Sequence, residues 1–344
     1  MTAVVDIDAL ADDRWAELIA DTSAALFSSP TWLGVLHRVY GLDFRVKALT
    51  SGDALTAGFA YSVIDDPRGR RLVSLPFCDF NDPVGVNADA WQQLTAEVFD
   101  NGEAVTIRTR EHDAVSSDPR FDTQQVGVCH EIDATQDPDD AFHDFATLPK
   151  RMIRKAPKAG LCTGPSSTRT ALRSFFDLHL GVRKYRHNLL AQPYALFEAI
   201  AETFFDAGNG FVVGSWCGDE FAGGCLVLLE GDTAYYKFSA SHPDYRKAGV
   251  SHVTLFEGLR LAHAHGMRRF DLGRSDLEPP GLLEFKRRFR PDERPVTAHR
   301  RARSDGGSDQ LGPTLQALTA LLARDDVPDD VTEKGGELLY RYFA

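Results

Sequence analysis

The run FDLGRSDLEPPGLLEFKRRF, residues 270–289, sets a carboxylate, an acidic proline-broken stretch and a lysine among aromatics within one short span. Strand alternation sends Phe270 and Leu272 toward a core and Asp271 the other way, near the strand's end. There a carboxylate could orient an amine or take its proton; it could equally cap a loop or pair with Arg274. Pro279 and Pro280 cannot continue a strand, so SDLEPP is expected to project as a rim. GLLEFKRRF then returns as a short helix. A lysine at Lys286 could stabilise the oxyanion that forms when an amine attacks an ester or thioester carbonyl. Arg287, Arg288 and Arg290 read as a solvated face.

Three other stretches suit anions. In RKAGVS, Arg246 to Ser251, Gly249 lets the backbone come close while the N–H groups of Val250, Ser251 and the following turn face an anion at a helix start; the same glycine would serve a plain helix-start turn that needs positive φ. KRMIRKAPK carries Lys150, Arg151, Arg154, Lys155 and Lys158, which could grip phosphates or form a solvated helix face. GVRKYRHN adds Arg183, Lys184, Tyr185 and Arg186 at a helix end. Other chemistries find little support: GxSxG, GxGxxG and the Walker loop are all missing. His263 and His265, two apart on a helix, diverge, and no metal is expected.

Stepping from residues to elements, helical periodicity covers ALRSFFDLHLGVRKY and PYALFEAIAETFFDAG, and β-rich runs FVVGSWC, FAGGCLVLL and TAYYKFSA are separated by the polar turns GDE and EGD. VSHVTLFEGLRLAHAHG reads as a helix, RRFDLG as a strand, LLEFKRRF as a helix and RPVTAHRRA as a strand, giving α-α-β-β-β-α-β-α-β. The first half reads the same way, from IDALADDRWAELIA to TQQVGVCHEID. With 344 residues and 43% hydrophobic content, two domains are expected: 1–147, 148–304, and a linker with a C-terminal helix and tail over 305–344. Charge divides the same way, at −16, +9 and −5, so a phosphate-bearing ligand is drawn to the second part. Five scattered cysteines without a CxxC fit reduced thiols. The N-terminus has no basic and apolar leader pattern, and the longest aliphatic run is far too short to span a bilayer; a cytoplasmic protein without integral membrane association is expected.

This element order resembles that of the GNAT acyltransferases, and two such units in tandem resemble the FemAB-like (FemABX) transferases. The segments SSPTWLGVLHRVYG, LVSLPFCDFNDPVG and LPKRMIRKAPKAG carry the likeness together with the block from YYKFSASHPDYRKAGVSHV to GLLEFKRRF, about residues 27–290. The resemblance implies an α/β (α+β) fold of tandem GNAT-like domains, each a mixed, mostly antiparallel sheet flanked by helices. It implies transfer of an acyl group to an amine without a covalent enzyme intermediate. The donor would be acyl-CoA as cosubstrate, its pyrophosphate on the Arg246–Ser251 loop, or aminoacyl-tRNA. The acceptor would be a small molecule or a cell-envelope precursor amine, with no DNA partner. Phe285 and Lys286 match the family's Phe-Lys pair near the reacting acyl group. Arg183 would contact acceptor phosphates, and Tyr236 in YKF would lie in the acceptor cleft. Asp82 in FNDPVG would face that cleft or form a turn. Two positions depart from the pattern. Ser251 replaces a usual Gly or Ala, and Leu36 stands where relatives using nucleotide-linked peptidoglycan precursors carry Lys, which weakens the case for that acceptor. A noncatalytic GNAT-fold binding module is the reading from another class.

Overall fold

The computed structural model describes residues 2–20, 25–99, 102–110, 112–303 and 311–344. The elements begin with β1 (Thr2–Asp8), α1 (Asp13–Ala20), α2 (Pro30–Tyr40), β2 (Arg45–Ser51), β3 (Ala54–Ile64), β4 (Arg71–Val73), α3 (Ala88–Thr95), β5 (Ala104–Arg110), α4 (Asp113–Ser116) and β6 (Asp122–Asp133). They continue through α5 (Pro138–Asp144), α6 (Thr147–Lys155), β7 (Leu161–Ser166), α7 (Arg169–Gly181), α8 (Tyr194–Ile200), β8 (Gly210–Cys217), β9 (Glu220–Glu230) and β10 (Thr233–Ser241). The last are α9 (Val250–Ala264), β11 (Arg269–Asp276), α10 (Gly281–Arg287), β12 (Asp292–Arg301), α11 (Leu311–Leu322) and α12 (Asp329–Leu339). Two units result: residues 1–127 with 294–315 and 341–344, and residues 128–293 with 316–340.

In the first unit the strands run β1-β2-β3-β4-β5-β12. All neighbours are antiparallel except β4 and β5, which pair parallel over three positions, Arg71–Ala104 to Val73–Thr106. Beyond Val73 the chain adopts left-handed backbone at Leu75 and Phe77 and folds back onto β5. Ser74 N donates to Thr106 O at 2.9 Å, Asn81 N to Arg108 O at 2.8 Å, and Arg110 N to Asp82 Oδ1 at 2.6 Å. The gap that diverging parallel strands would leave is therefore closed by this unit's own loop, pinned by buried Phe80 and Asn81.

The second unit has the order β6-β11-β10-β9-β8-β7. β9 is buried at every position from Ala222 to Leu229, the pattern of a strand covered on both faces, and α7 and α9 both pack on it. The core joins Val227, Leu229, Tyr236, Leu255, Phe256, Leu259, Phe270 and Leu272. Both units thus carry mixed, mostly antiparallel sheets flanked by helices, as expected from the sequence.

Three elements are additions to that expectation. β7 holds Pro165 and lies at the sheet's edge, where a residue without an N–H is tolerated. β1 pairs antiparallel with β2. α12 occupies residues expected as a tail, and most of the expected linker, 304–310, lies outside the described residues. No helix among the described residues is long and apolar enough to cross a membrane.

Candidate active site

β10 and β11 pair parallel over only three positions, Thr233–Arg269 to Tyr235–Asp271. Just beyond, β10 bulges at Lys237, between the registers of Tyr236 and Phe238 with β9. A bulge bends and twists its strand, here where β10 leaves β11. The C-terminal halves of two parallel neighbours therefore separate, and crevices at the carboxyl ends of parallel strands are where open α/β sheets bind ligands. From one side of this opening the chain runs into residues 242–249 and the start of α9. From the other it runs into the exposed stretch Asp276–Pro280 and α10.

A buried polar network fixes the end of β11. Asp271 is 2% exposed, and its Oδ1 accepts the Gly273 N–H at 2.6 Å. Lys286, 3% exposed, reaches back from α10 and donates to Gly273 O at 2.9 Å and Arg274 O at 3.1 Å. Ser275 Oγ lies 3.2 Å from Nε2 of buried His130 on β6, whose Nδ1 is 3.4 Å from Glu293 Oε1. Burial and the nearby Lys286 charge hold the His130 pKa down to about 4, so His130 is neutral at neutral pH. Arg274 pairs with Asp276 at 2.9 Å, and Asp271 caps the turn at Gly273.

A second group of charges surrounds the loop before α9. Gly249 has φ 99°, and a Cβ there would sit 2.6 Å from Met152 O of α6; glycine is required by both conformation and close approach. Val250 is wholly buried in a small core with Ala156, Leu161 and Ala222, so only its backbone can serve a ligand. Ser251, half-buried, is the second residue of α9. Arg246 has its Nε buried without a hydrogen-bond partner. Burial and the charge of Arg186 lower its pKa, and His187 is lowered by burial and by Arg186, Arg183 and Arg246. The charges of Arg183, Arg186 and Arg246 are thus all felt at His187. Arg183 is oriented by an Nε bond to Leu190 O at 3.0 Å. On α6, an open groove of about 730 Å³ is lined by His143, Thr147 and the five cations Lys150, Arg151, Arg154, Lys155 and Lys158. Lys155 Nζ donates to Lys247 O at 2.8 Å, joining the groove to this loop.

The acetyltransferase (GNAT) domain family matches residues 149–287, the segment that holds the opening, the loop and α10. The lipid II:glycine glycyltransferase of Staphylococcus epidermidis is 34% identical over 73 residues, 20% of this chain and 18% of that protein. That of Staphylococcus haemolyticus is 33% identical over 73 residues, 20% of this chain and 17% of its own. The chain therefore matches less than a fifth of these curated relatives' length. Among solved structures, FemX superposes with TM-score 0.63 at 12% identity, covering 92% of this chain and 100% of FemX.

Residues 149–287 are thus similar to GNAT acetyltransferase domains, and the chain shares the fold of FemX.

The tandem fold recurs at 12% identity in L-PGS from Bacillus licheniformis (TM-score 0.56; 92% of this chain, 97% of that one). It recurs also in a tandem GNAT protein of the clavulanic acid pathway (TM-score 0.54; 87% and 98%). Within the GNAT domain here, Tyr236 is 8% exposed and meets the Phe270 ring edge-on at 6.3 Å; its strand neighbour Tyr235 is buried too. Phe285 is half-buried, with its ring 5.1 Å from that of His252. Asp82 belongs to the first unit, where it caps Arg110; burial raises its pKa despite that arginine. Among the described residues no cluster of three His, Cys, Asp or Glu could hold a metal.

Sequence reasoning passed over His130, Ser275 and Glu293, which are joined only by folding, and His252. Both ring nitrogens of His252 are buried without partners in the first turn of α9. Its position directly after the RKAGVS loop was the one available signal.

Proposed function

We propose that this protein is an N-acyltransferase that moves an acyl group from acyl-CoA to an amine. The observation that carries the reading is the Arg246 Nε, buried and unpartnered in the loop before α9, with the charges of Arg183 and Arg186 close enough to act on the same His187. Guanidinium groups bind phosphate through paired, charge-assisted bonds, and a pyrophosphate would offset the burial and the Arg186 charge that lower the Arg246 pKa. The pantetheine arm of such a donor would lie between the separating strands, its thioester near the end of β11. Attack by the amine forms the C–N bond and a tetrahedral oxyanion. Collapse breaks the C–S bond, and the leaving thiolate takes up the proton that the amine nitrogen gives up, releasing the thiol and the amide. Lys286 supplies a fixed positive charge behind the reacting carbonyl, where low local dielectric magnifies it. Asp271, by holding Gly273, acts here as a positioning residue for the same strand end.

The five-cation groove on α6 favours a second reading, in which the donor is an aminoacyl-tRNA and the acceptor an amine of a cell-envelope precursor, in line with the named activity of the glycyltransferase relatives. Either donor places the reaction in the cytoplasm, where both are made. Calorimetry against acetyl-CoA and charged tRNA at two salt concentrations separates the readings. CoA binding with tRNA silent supports the first, strongly salt-dependent tRNA binding supports the second, and silence from both favours a noncatalytic module. Arg246→Ala is expected to weaken CoA binding about tenfold, the value of one charge-assisted bond. Its melting temperature should be unchanged or higher, because a like charge leaves the cluster. Undiminished CoA affinity in this variant would remove the pyrophosphate from the loop.

A further inference from the structure

Arg183 and Arg186 are carried by an irregular turn. α7 does not end cleanly but continues as a single π turn, Val182–Arg186; such turns are locally costly and cluster at functional sites. Within it Lys184 is 0% exposed, although a lysine in a charged run would ordinarily face water. Its Nζ donates to Val327 O and, at 2.7 Å, to Asp329 Oδ1. Tyr185 OH donates to the same Oδ1 at 2.7 Å. Asp329 lies in the first turn of α12, where the helix end also favours its charge.

α12 is seated on this region by close approach as well as charge. A side chain at Gly336 would collide with Ala191 O, and one at Gly335 would fall 3.3 Å from Leu190 Cδ2. Leu190 O is the acceptor that orients Arg183. Arg173 on α7 also reaches Glu333 of α12 at 3.5 Å. The two faces of the turn are thus differentiated: Lys184 is neutralised inward by Asp329, while the charges of Arg183 and Arg186 act, with that of Arg246, on His187.

We infer that Lys184, Tyr185 and Asp329 form a latch through which α12 fixes the phosphate-binding arginines, making Lys184 and Asp329 positioning residues for the donor site. This rests on the reading of the arginine cluster as that site. Without Asp329, the buried ammonium of Lys184 has lost its counter-charge and the turn no longer has one preferred geometry.

The test is calorimetry of the full chain with inorganic pyrophosphate and with CoA, alongside thermal melts, for wild type, Asp329→Asn, Asp329→Glu, Tyr185→Phe and the same-helix control Glu337→Gln. Asp329→Asn should weaken both ligands about tenfold, Tyr185→Phe should weaken them less, Asp329→Glu should restore most of the affinity, and Glu337→Gln should match wild type. If Asp329→Asn melts below the assay temperature, Tyr185→Phe decides, because it leaves the Lys184–Asp329 pair in place. Wild-type affinity in folded Asp329→Asn, or in Tyr185→Phe where that variant decides, overturns the latch alone. Failure of wild type to bind pyrophosphate or CoA overturns the phosphate site, and the latch with it.

Discussion

Lys286→Met is expected to lower kcat/KM for acyl transfer by about 100-fold or more, the range seen when one preorganised oxyanion stabiliser is removed. The side chain keeps its length and loses only its charge and donors, so packing beside Leu283 is preserved. Stability falls as well. Gly273 O and Arg274 O lose a buried ammonium donor, at about 1–3 kcal/mol for each group left unsatisfied. Rates are therefore compared at a temperature where both melting curves show the folded state. The two effects have different signatures. Loss of structure alone scales with the fraction unfolded and leaves the kcat of the folded fraction untouched, whereas loss of the transition-state charge lowers kcat itself. A folded Lys286→Met with wild-type kcat would reduce Lys286 to a brace for β11.

The elements around that brace were legible where local rules and tertiary demands agree. The β8–β10 meander is announced by β-rich runs divided at GDE and EGD, and α9 by apolar residues at helical spacing that the fold buries at Val253, Phe256, Leu259 and Ala262. Where the two conflict, the sequence misleads. Pro165 argues against a strand, yet β7 is an edge strand that needs no donor on one side. Gly335 and Gly336 argue against a helix by about 1 kcal/mol each relative to alanine, yet α12 needs them for its close approach to Leu322 and Ala191. β1 goes unread, and its last two residues, Ile7 and Asp8, fall within the helix reading IDALADDRWAELIA because they pass directly into the periodic segment that forms α1.

The site was legible by residue type and illegible by partnership. RKAGVS and GVRKYRHN each looked suited to an anion, but one was read as a donor loop and the other as an acceptor contact. That Arg246 and Arg183 act on a common His187 depends on where the β8–β10 meander returns the chain relative to the end of α7, which no local pattern encodes. Lys184 looked like its solvated neighbours; its burial follows from Asp329, 145 residues away. Asp271 and Lys286 were chosen for their chemistry, and both prove to be buried in the network that holds the end of β11. That placement explains why a strand end could be rigid enough to aim a charge, a point composition alone could not supply.

Acid should destabilise this protein well before its carboxylates protonate. His130, His179 and His299 are 0%, 5% and 0% exposed, and each is held down to about 4, with burial the first cause. The hydrogen bonds suit neutral rings: His299 lies between Thr109 Oγ1 at 3.0 Å and Thr123 Oγ1 at 3.1 Å, and His179 Nε2 bonds to Gln192 Oε1 at 2.9 Å. In the unfolded chain a histidine takes its proton near 6.5. Above that pH both states are neutral and stability is flat. Between about 6.5 and 4 the unfolded state binds protons that the folded state refuses, so stability falls as pH falls. By pH 5 the loss is on the order of 1–2 kcal/mol per histidine, and three together approach the about 5–15 kcal/mol that holds a typical domain. Asp82 and Glu257 work in the opposite direction, because burial raises their pKa values and protonation favours the fold, but His252, also held down to about 4 by burial, adds to the histidine side. Asp118, where burial is outweighed by the hydrogen bonds from Arg120, contributes only below this window. Urea unfolding at pH 7.5, 6 and 5 should show a falling midpoint, and His299→Gln should make the fall shallower by removing its share. A midpoint constant from pH 7.5 to 5 would mean that these rings take up protons in the folded state and that the Thr109–His299–Thr123 bridge adapts to the charge.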